Sequence, residues 1–196
     1  MRKSLLILVL MMLLPYELSP AFGMPNITKE YKKANKLFAS GNYQDALPVY
    51  KQVLEALPED IPLSDIYTRL GDSYFNLGNY KNALEAYRGA LRDQRRSERA
   101  ATQYWIGFCT FLLGRYAEAE WELLKIPELY PASGMLVNTA YYWAGRSAER
   151  MGKRDKASQY YKKAGGNGKS TQGRFAMKRA EAAKGTSAEA QAPKPK

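Results

Sequence analysis

One thiol, at Cys109, and no histidine limit the covalent chemistry open to this chain. A cysteine nucleophile needs a neighbouring base to take its proton, and the commonest side chain for that task is missing. Cys109 stands in YWIGFCTFLL, a strongly apolar helical stretch, which marks it as a small core residue. With no second cysteine the chain forms no internal disulfide. The carboxylates lie mostly on helix exteriors or near loops, as in LPEDIPLSD, with no histidine or glycine-rich phosphate loop to complete a site. That is the pattern of solvated faces, so the residues argue against an enzyme and call for no cofactor, metal or small-molecule substrate. Asn26-Ile27-Thr28 is a glycosylation sequon, relevant only in a eukaryotic secretory pathway.

Charge is the next chemical resource. The chain carries 30 Lys+Arg against 19 Asp+Glu. From Lys169 onward seven basic residues face only Glu181 and Glu189. Such a block favours acidic partners, an anionic membrane surface among them, and Lys169, Arg174, Lys178, Arg179 and Lys184 are its candidate contacts.

The other end reads as an export signal. Met1-Arg2-Lys3 is a positive start, Leu5 to Leu14 is an unbroken apolar run, and Ala21-Phe22-Gly23 supplies small residues. The run is half of the roughly 20 residues needed to span a bilayer. A secretory signal peptide over 1–23, cleaved after Gly23, is therefore expected, with an uncleaved N-terminal anchor as the alternative. No cysteine follows the run to carry a lipid. Export to a periplasm or envelope makes nucleic acid the poorest of the acidic partners.

Between these ends one skeleton of small residues and aromatics recurs. In LGDSYFNLGNYKNALEAYRGAL, Gly71 precedes Tyr74 by one turn, the breaker Gly78 precedes Tyr80, and Ala83, Tyr87 and Ala90 follow. A Gly-Asn pair inside good helix-forming sequence predicts two helices joined by a tight turn. Gly41, Gly114 and Gly152 occupy equivalent positions, so the breakers stand 37, 36 and 38 residues apart. Ala34, Gly71, Gly107 and Gly145 on the first helices answer Ala46, Ala83, Ala119 and Ala157 on the second, allowing close approach. Tyr50, Tyr87 and Tyr161 fill the wedge toward the next unit. A single such hairpin cannot bury its apolar face, so the units must stack.

These residues and their period resemble the tetratricopeptide repeat family, whose unit of about 34 residues is a helix–turn–helix. The resemblance implies an all-α, right-handed α-solenoid with repeats at 27–60, 64–97, 100–133 and 138–168. A capping helix over 171–184 and a disordered basic tail over 185–196 are expected to follow. It also implies a protein-binding concave surface lined by the first helix of each unit. Tyr31, Asn35 and Phe38, then Thr68, Asp72 and Phe75, then Tyr104, Phe108 and Phe111, then Tyr142, Arg146 and Glu149 fall on that surface. Its middle is mostly aromatic, the composition favoured in interface anchors. Where some members grip a C-terminal carboxylate with Lys and Arg, this chain has Tyr31, Asn35, Arg69, Ala101 and Trp105, a set ill suited to that clamp.

The stretch YPASGMLVNTAYYWAGRSAERMGKRDKASQYYKKA is further similar to exported repeats of bacterial envelope proteins. These include the periplasmic coordinator of the Tol-Pal machinery and the repeat lipoprotein of the outer-membrane barrel assembly machine. The expected function is a non-enzymatic scaffold of the bacterial envelope, binding a partner peptide or helix. A structural subunit of a larger envelope or secretion assembly is the alternative.

Overall fold

The computed structural model describes residues 26–166 and 171–191. Eight helices form four antiparallel pairs: α1 (Ile27–Ala39) with α2 (Tyr43–Glu55), α3 (Leu63–Asn76) with α4 (Tyr80–Asp93), α5 (Arg96–Leu112) with α6 (Tyr116–Leu129), and α7 (Gly134–Arg150) with α8 (Arg154–Gly165). A ninth, α9 (Thr171–Gln191), packs on α8, and the described residues contain no strand. Each helix packs chiefly against its neighbours in the chain, the contact pattern of an α-solenoid. Among the described residues no helix is long and apolar enough to cross a membrane. The expected signal segment, 1–23, lies outside them.

The turns form as the glycine spacing predicts. Gly41, Gly78, Gly114 and Gly152 have φ of +80°, +74°, +76° and +73°. In the second unit the Gly78 amide donates to the Phe75 carbonyl and the Asn79 amide to the Tyr74 carbonyl, both at 2.9 Å. The other three turns repeat this pair of bonds, which satisfies carbonyls left open at the helix end.

The small residues are packing contacts. A Cβ added at Gly71 would lie 2.6 Å from Tyr87 Cε1, at Gly145 2.7 Å from Tyr161 Cε1, and at Gly107 2.6 Å from Leu123 Cγ. Ala34, Ala46, Ala83, Ala119, Ala144 and Ala157 are wholly buried, as are Tyr50 and Tyr161. The apolar interior runs along the stack in three clusters, the first reaching from Ala34 on α1 to Ala86 on α4 and the last reaching Ala180 on α9.

Some boundaries depart from the expected ones. Helix α5 begins at Arg96 rather than 100: Arg95 caps it in extended conformation and pairs with Glu98 in its first turn, where the helix dipole favours an acidic side chain. Helix α7 begins at Gly134, four residues before 138, which shortens the loop after α6. The largest correction is at the C-terminus. The capping helix does not stop at 184, and the expected disordered tail is helical through Gln191. A helix already anchored by Ala176, Ala180 and Ala183 continues through the weak helix formers Gly185-Thr186-Ser187 into Ala-Glu-Ala-Gln, which is strong helix-forming sequence. Residues 192–196 lie outside the described part.

Candidate functional site

The first helices of successive units share one face, and aromatic rings join them along it. Phe75 on α3 meets Trp105 on α5 edge-on, with centroids 4.9 Å apart. Phe108, one turn along α5, stacks on Tyr104 at 5.7 Å and reaches Trp143 on α7 at 4.5 Å. Tyr142 then contacts Tyr161 at 5.7 Å and Phe175 on α9 at 6.2 Å. Most of these rings are half-buried, and Phe175 is exposed. A continuous aromatic belt therefore crosses from α3 to the capping helix.

Polar groups on the same helices are held by the wedge tyrosines. The Tyr50 hydroxyl donates to Asn35 Oδ1 at 2.8 Å, Tyr87 to Asp72 Oδ1 at 2.8 Å, and Tyr161 to Glu149 Oε2 at 2.7 Å. Glu149 Oε2 also accepts from Arg179 Nη2 of α9 at 2.9 Å and lies 3.6 Å from Arg146 Nε. Burial raises the Asp72 carboxyl above its ordinary range, more than the Tyr87 hydrogen bond and the Arg69 charge lower it. Cys109, wholly buried, has its thiol pushed up to about 12 by desolvation, which makes it inert as a nucleophile.

Between α1, α3 and α5 the first-helix face opens into a cavity of about 600 Å³. Tyr31 and Trp105 supply its aromatic lining, Asp65 and Asp72 its carboxylates, and Arg69 and the Arg95–Glu98 pair its remaining charges. A second, smaller cavity of about 330 Å³ lies by Glu149 and Phe175, rimmed by Lys178 and Arg179.

The expected groove residues land as follows. Tyr31, Thr68 and Asp72 line the large cavity, while Asn35 is held by Tyr50 and Phe38 packs under the Arg69 guanidinium at 4.9 Å. Phe75, Tyr104, Phe108 and Tyr142 belong to the aromatic belt. Phe111 is only 8% exposed, fixed between Tyr116 at 5.4 Å and Trp143 at 5.0 Å, so its ring packs units together and offers little to a partner. Arg146 is turned toward Glu149 and the Trp143 ring. Of the basic residues, Arg174 and Lys178 are exposed on α9, and Arg179 is tied to Glu149. Lys184 lies on α9, and Lys169 falls outside the described residues.

Sequence reasoning left out Trp143, at the centre of the belt, and Gln94 and Thr102 in the cavity wall. Trp143 follows Tyr142 directly, and helical spacing alone places adjacent residues about 100° apart. Which of the two faces the groove depends on how far each helix is rotated.

With this geometry in view the comparisons are consistent. Residues 68–133 and 139–164 each match a tetratricopeptide repeat profile. The chain thus carries tetratricopeptide repeats in a solenoid fold of the kind that typically serves as a protein-binding scaffold. MamA from Desulfovibrio magneticus RS-1 is similar in structure with a TM-score of 0.59, at 18% identity, over 87% of this chain and 99% of that one. The apo form of RapI is similar with a TM-score of 0.69, at 14% identity, over 83% of this chain and 64% of RapI. Protein O-mannosyl-transferase TMTC2 from Homo sapiens is 33% identical over 94 residues, which is 48% of this chain. The chain spans only 11% of that protein's length, so the likeness does not carry a transferase activity across.

Proposed function

We propose that this protein is a non-enzymatic scaffold of the bacterial cell envelope that holds a peptide or helix of a partner protein in its concave groove. The observation that carries the reading is the aromatic belt from Phe75 through Trp105, Phe108 and Trp143 to Tyr142, half-buried on the first-helix face. Rings so placed bury large areas on contact and lose little rotamer entropy. The export-like N-terminus supports a periplasmic or envelope location. The cationic C-terminal helix supports a second contact with an anionic membrane surface.

The test is affinity capture from cross-linked envelopes, comparing the mature chain with the Phe108→Glu/Tyr142→Glu variant and checking by circular dichroism that helicity is kept. A partner recovered with the wild type and lost with the folded variant is the expected result. Equal recovery with both would remove the groove from the proposal.

One observation favours the assembly-subunit alternative. Trp121, on second helix α6, is 61% exposed with the Lys125 ammonium 3.4 Å from its ring centroid, and Leu129 on the same helix is exposed. An assembly subunit would bury both against a folded neighbour, so Trp121→Ala would then weaken capture while the groove variant would not.

A further inference from the structure

Positive charge is not spread along the stack. From Ile27 to Leu129, the span of α1 to α6, the sequence holds 14 basic and 14 acidic side chains, so the first three repeats are neutral as a group. From Gly134, where α7 begins, to Lys184 it holds 12 basic and three acidic. Most of the formal net charge of +11 therefore belongs to the fourth repeat and the capping helix. Of the three carboxylates, Glu149 already accepts from Tyr161 and Arg179, which leaves Asp155 and Glu181 against the cations of the outer surface.

Helix packing gathers that surplus on one side. Lys162 lies four residues after Ser158 and three before Gly165, so the three share a stripe of α8. Ser158 Oγ donates to the Ala180 carbonyl of α9 at 2.8 Å, and a Cβ added at Gly165 would lie 3.2 Å from the Gly173 carbonyl oxygen. Lys162 thus borders the seam between α8 and α9, and Arg174 follows Gly173 on the other side of it. Both are exposed, as are Lys153 and Lys163 on the α8 side and Lys178 on α9. Of the large apolar side chains described on α8 and α9 only Phe175 is exposed, and its ring turns to Tyr142 at the groove.

We propose that the outer side of α8 and α9 is a single docking face for an anionic lipid bilayer, with Lys153, Lys162 and Lys163 acting alongside Arg174 and Lys178. The inference rests on the membrane contact proposed above and shifts its centre from the C-terminal helix to the fourth repeat. Charge complementarity selects an acidic occupant, and the lack of an apolar anchor on this side selects a bilayer over a protein. Protein interfaces draw most of their energy from a few buried aromatic and arginine anchors. Mobile anionic head groups need none, because each lysine or arginine near their surface contributes separately. Docking by second helix α8 and the cap leaves the first-helix face of the earlier repeats uncovered, so one molecule can hold a partner segment while it is bound to the bilayer.

The test is co-sedimentation of the mature chain with vesicles of phosphatidylcholine alone and of equimolar phosphatidylcholine and phosphatidylglycerol, with helicity of each variant checked by circular dichroism. Binding to the anionic vesicles only, weakened by added salt, is expected. Lys162→Gln/Lys163→Gln should weaken it at least about fivefold, the loss of one surface cation. Lys29→Gln/Lys32→Gln removes the same charge from exposed positions of α1, in the neutral part of the stack, and should change binding less than about twofold. Equal weakening by the two pairs would reduce the effect to net charge and overturn the docking face. If Arg174→Gln/Lys178→Gln weakened binding while the α8 pair did not, the membrane contact would stand on α9 alone and this inference would fall. A wild-type chain that ignored the anionic vesicles would overturn both and leave an acidic protein as the occupant to seek.

Discussion

The Tyr87 hydroxyl donates to Asp72 Oδ1 at 2.8 Å across the two helices of the second repeat, fifteen residues back along the chain. The same bond joins Tyr50 to Asn35 in the first repeat, again at 2.8 Å and fifteen residues. In the third repeat both members change together: Leu123 stands where the tyrosine would be and Phe108 where its acceptor would be. A buried acceptor without its donor is costly, so the joint loss of both is the inexpensive way to remove the bond. In the fourth repeat the corresponding acceptor position is Arg146, and Tyr161 bonds instead to Glu149, one turn farther along α7. In the first, second and fourth repeats the wedge tyrosines therefore tie the core of the unit to polar groups on its first helix.

This pairing predicts unequal costs for two similar substitutions. Tyr87→Phe leaves a partly desolvated carboxylate short of a donor and should destabilise by about 1.5–3 kcal/mol, the range for bonds to charged groups. Tyr50→Phe deprives only a neutral amide and should cost about 0.5–1.5 kcal/mol. Urea unfolding of both variants measures the difference, and equal costs would mean that the charge on Asp72 is immaterial to the bond.

Asp72 also predicts a pH dependence. Burial holds its folded carboxyl above the ordinary aspartate range, so the folded state holds the proton more tightly than the unfolded chain. Stability from this group is then present at low pH and is lost as pH rises through the folded value. Asp72→Asn should accordingly raise the melting temperature at pH 7, and the gain should vanish as pH falls below the ordinary aspartate range. A gain that persisted in acid would attribute the effect to something other than ionisation.

The two kinds of glycine should fail for different reasons. Gly71→Ala drives a methyl to within 2.6 Å of the buried Tyr87 ring and should cost about 1–3 kcal/mol through overpacking. Gly78→Ala meets nothing within 4 Å, but its φ of +74° imposes a backbone cost of about 1–2 kcal/mol. Adding Tyr87→Ala should relieve the first substitution and leave the second unchanged, which a pair of double-mutant cycles would show.

Cys109 should resist thiol reagents in the folded protein. It is wholly buried and its thiol is pushed up to about 12, so at pH 8 the thiolate is both scarce and shielded. Labelling should keep pace with unfolding in denaturant. Rapid labelling under native conditions would point to local opening of α5.

The membrane contact is better tested by charge reversal than by truncation. Removing residues 169–196 would strip α9 from α8, uncovering the surface that Ala176 and Ala180 bury and breaking the bond from Ser158 Oγ to the Ala180 carbonyl at 2.8 Å. Arg174→Glu/Lys178→Glu changes exposed positions only. It should weaken binding to vesicles containing anionic lipid by at least about 1 kcal/mol per cation, with helicity intact. Unchanged binding would confine the protein's contacts to proteins.

Much of this architecture was legible before the structure because its determinants are local. A glycine that must adopt positive φ, an alanine that must admit a neighbouring helix and a tyrosine that must fill a wedge are each specified by the same few atoms at every recurrence. Gly41, Gly78, Gly114 and Gly152 therefore announced the hairpins, and Ala46, Ala83, Ala119 and Ala157 their close packing. The site was legible only in part. Tyr31 and Asp72, read as first-helix surface residues, line the cavity, whereas Phe111, read the same way, has its ring captured by Trp143 of the next unit. No single repeat contains that information, since the captor lies 32 residues downstream, on another helix.

The sequence by itself determined the number of hairpins, the turns that close them and the small residues at their seams, because short-range sterics and a repeated period suffice for these. Only the tertiary structure decided which aromatics join across units, that Gln94 is buried beside a cavity, and that the capping helix continues to Gln191. Those outcomes follow from the rotation and stacking of whole helices, where small changes in packing choose which of two adjacent side chains meets the groove.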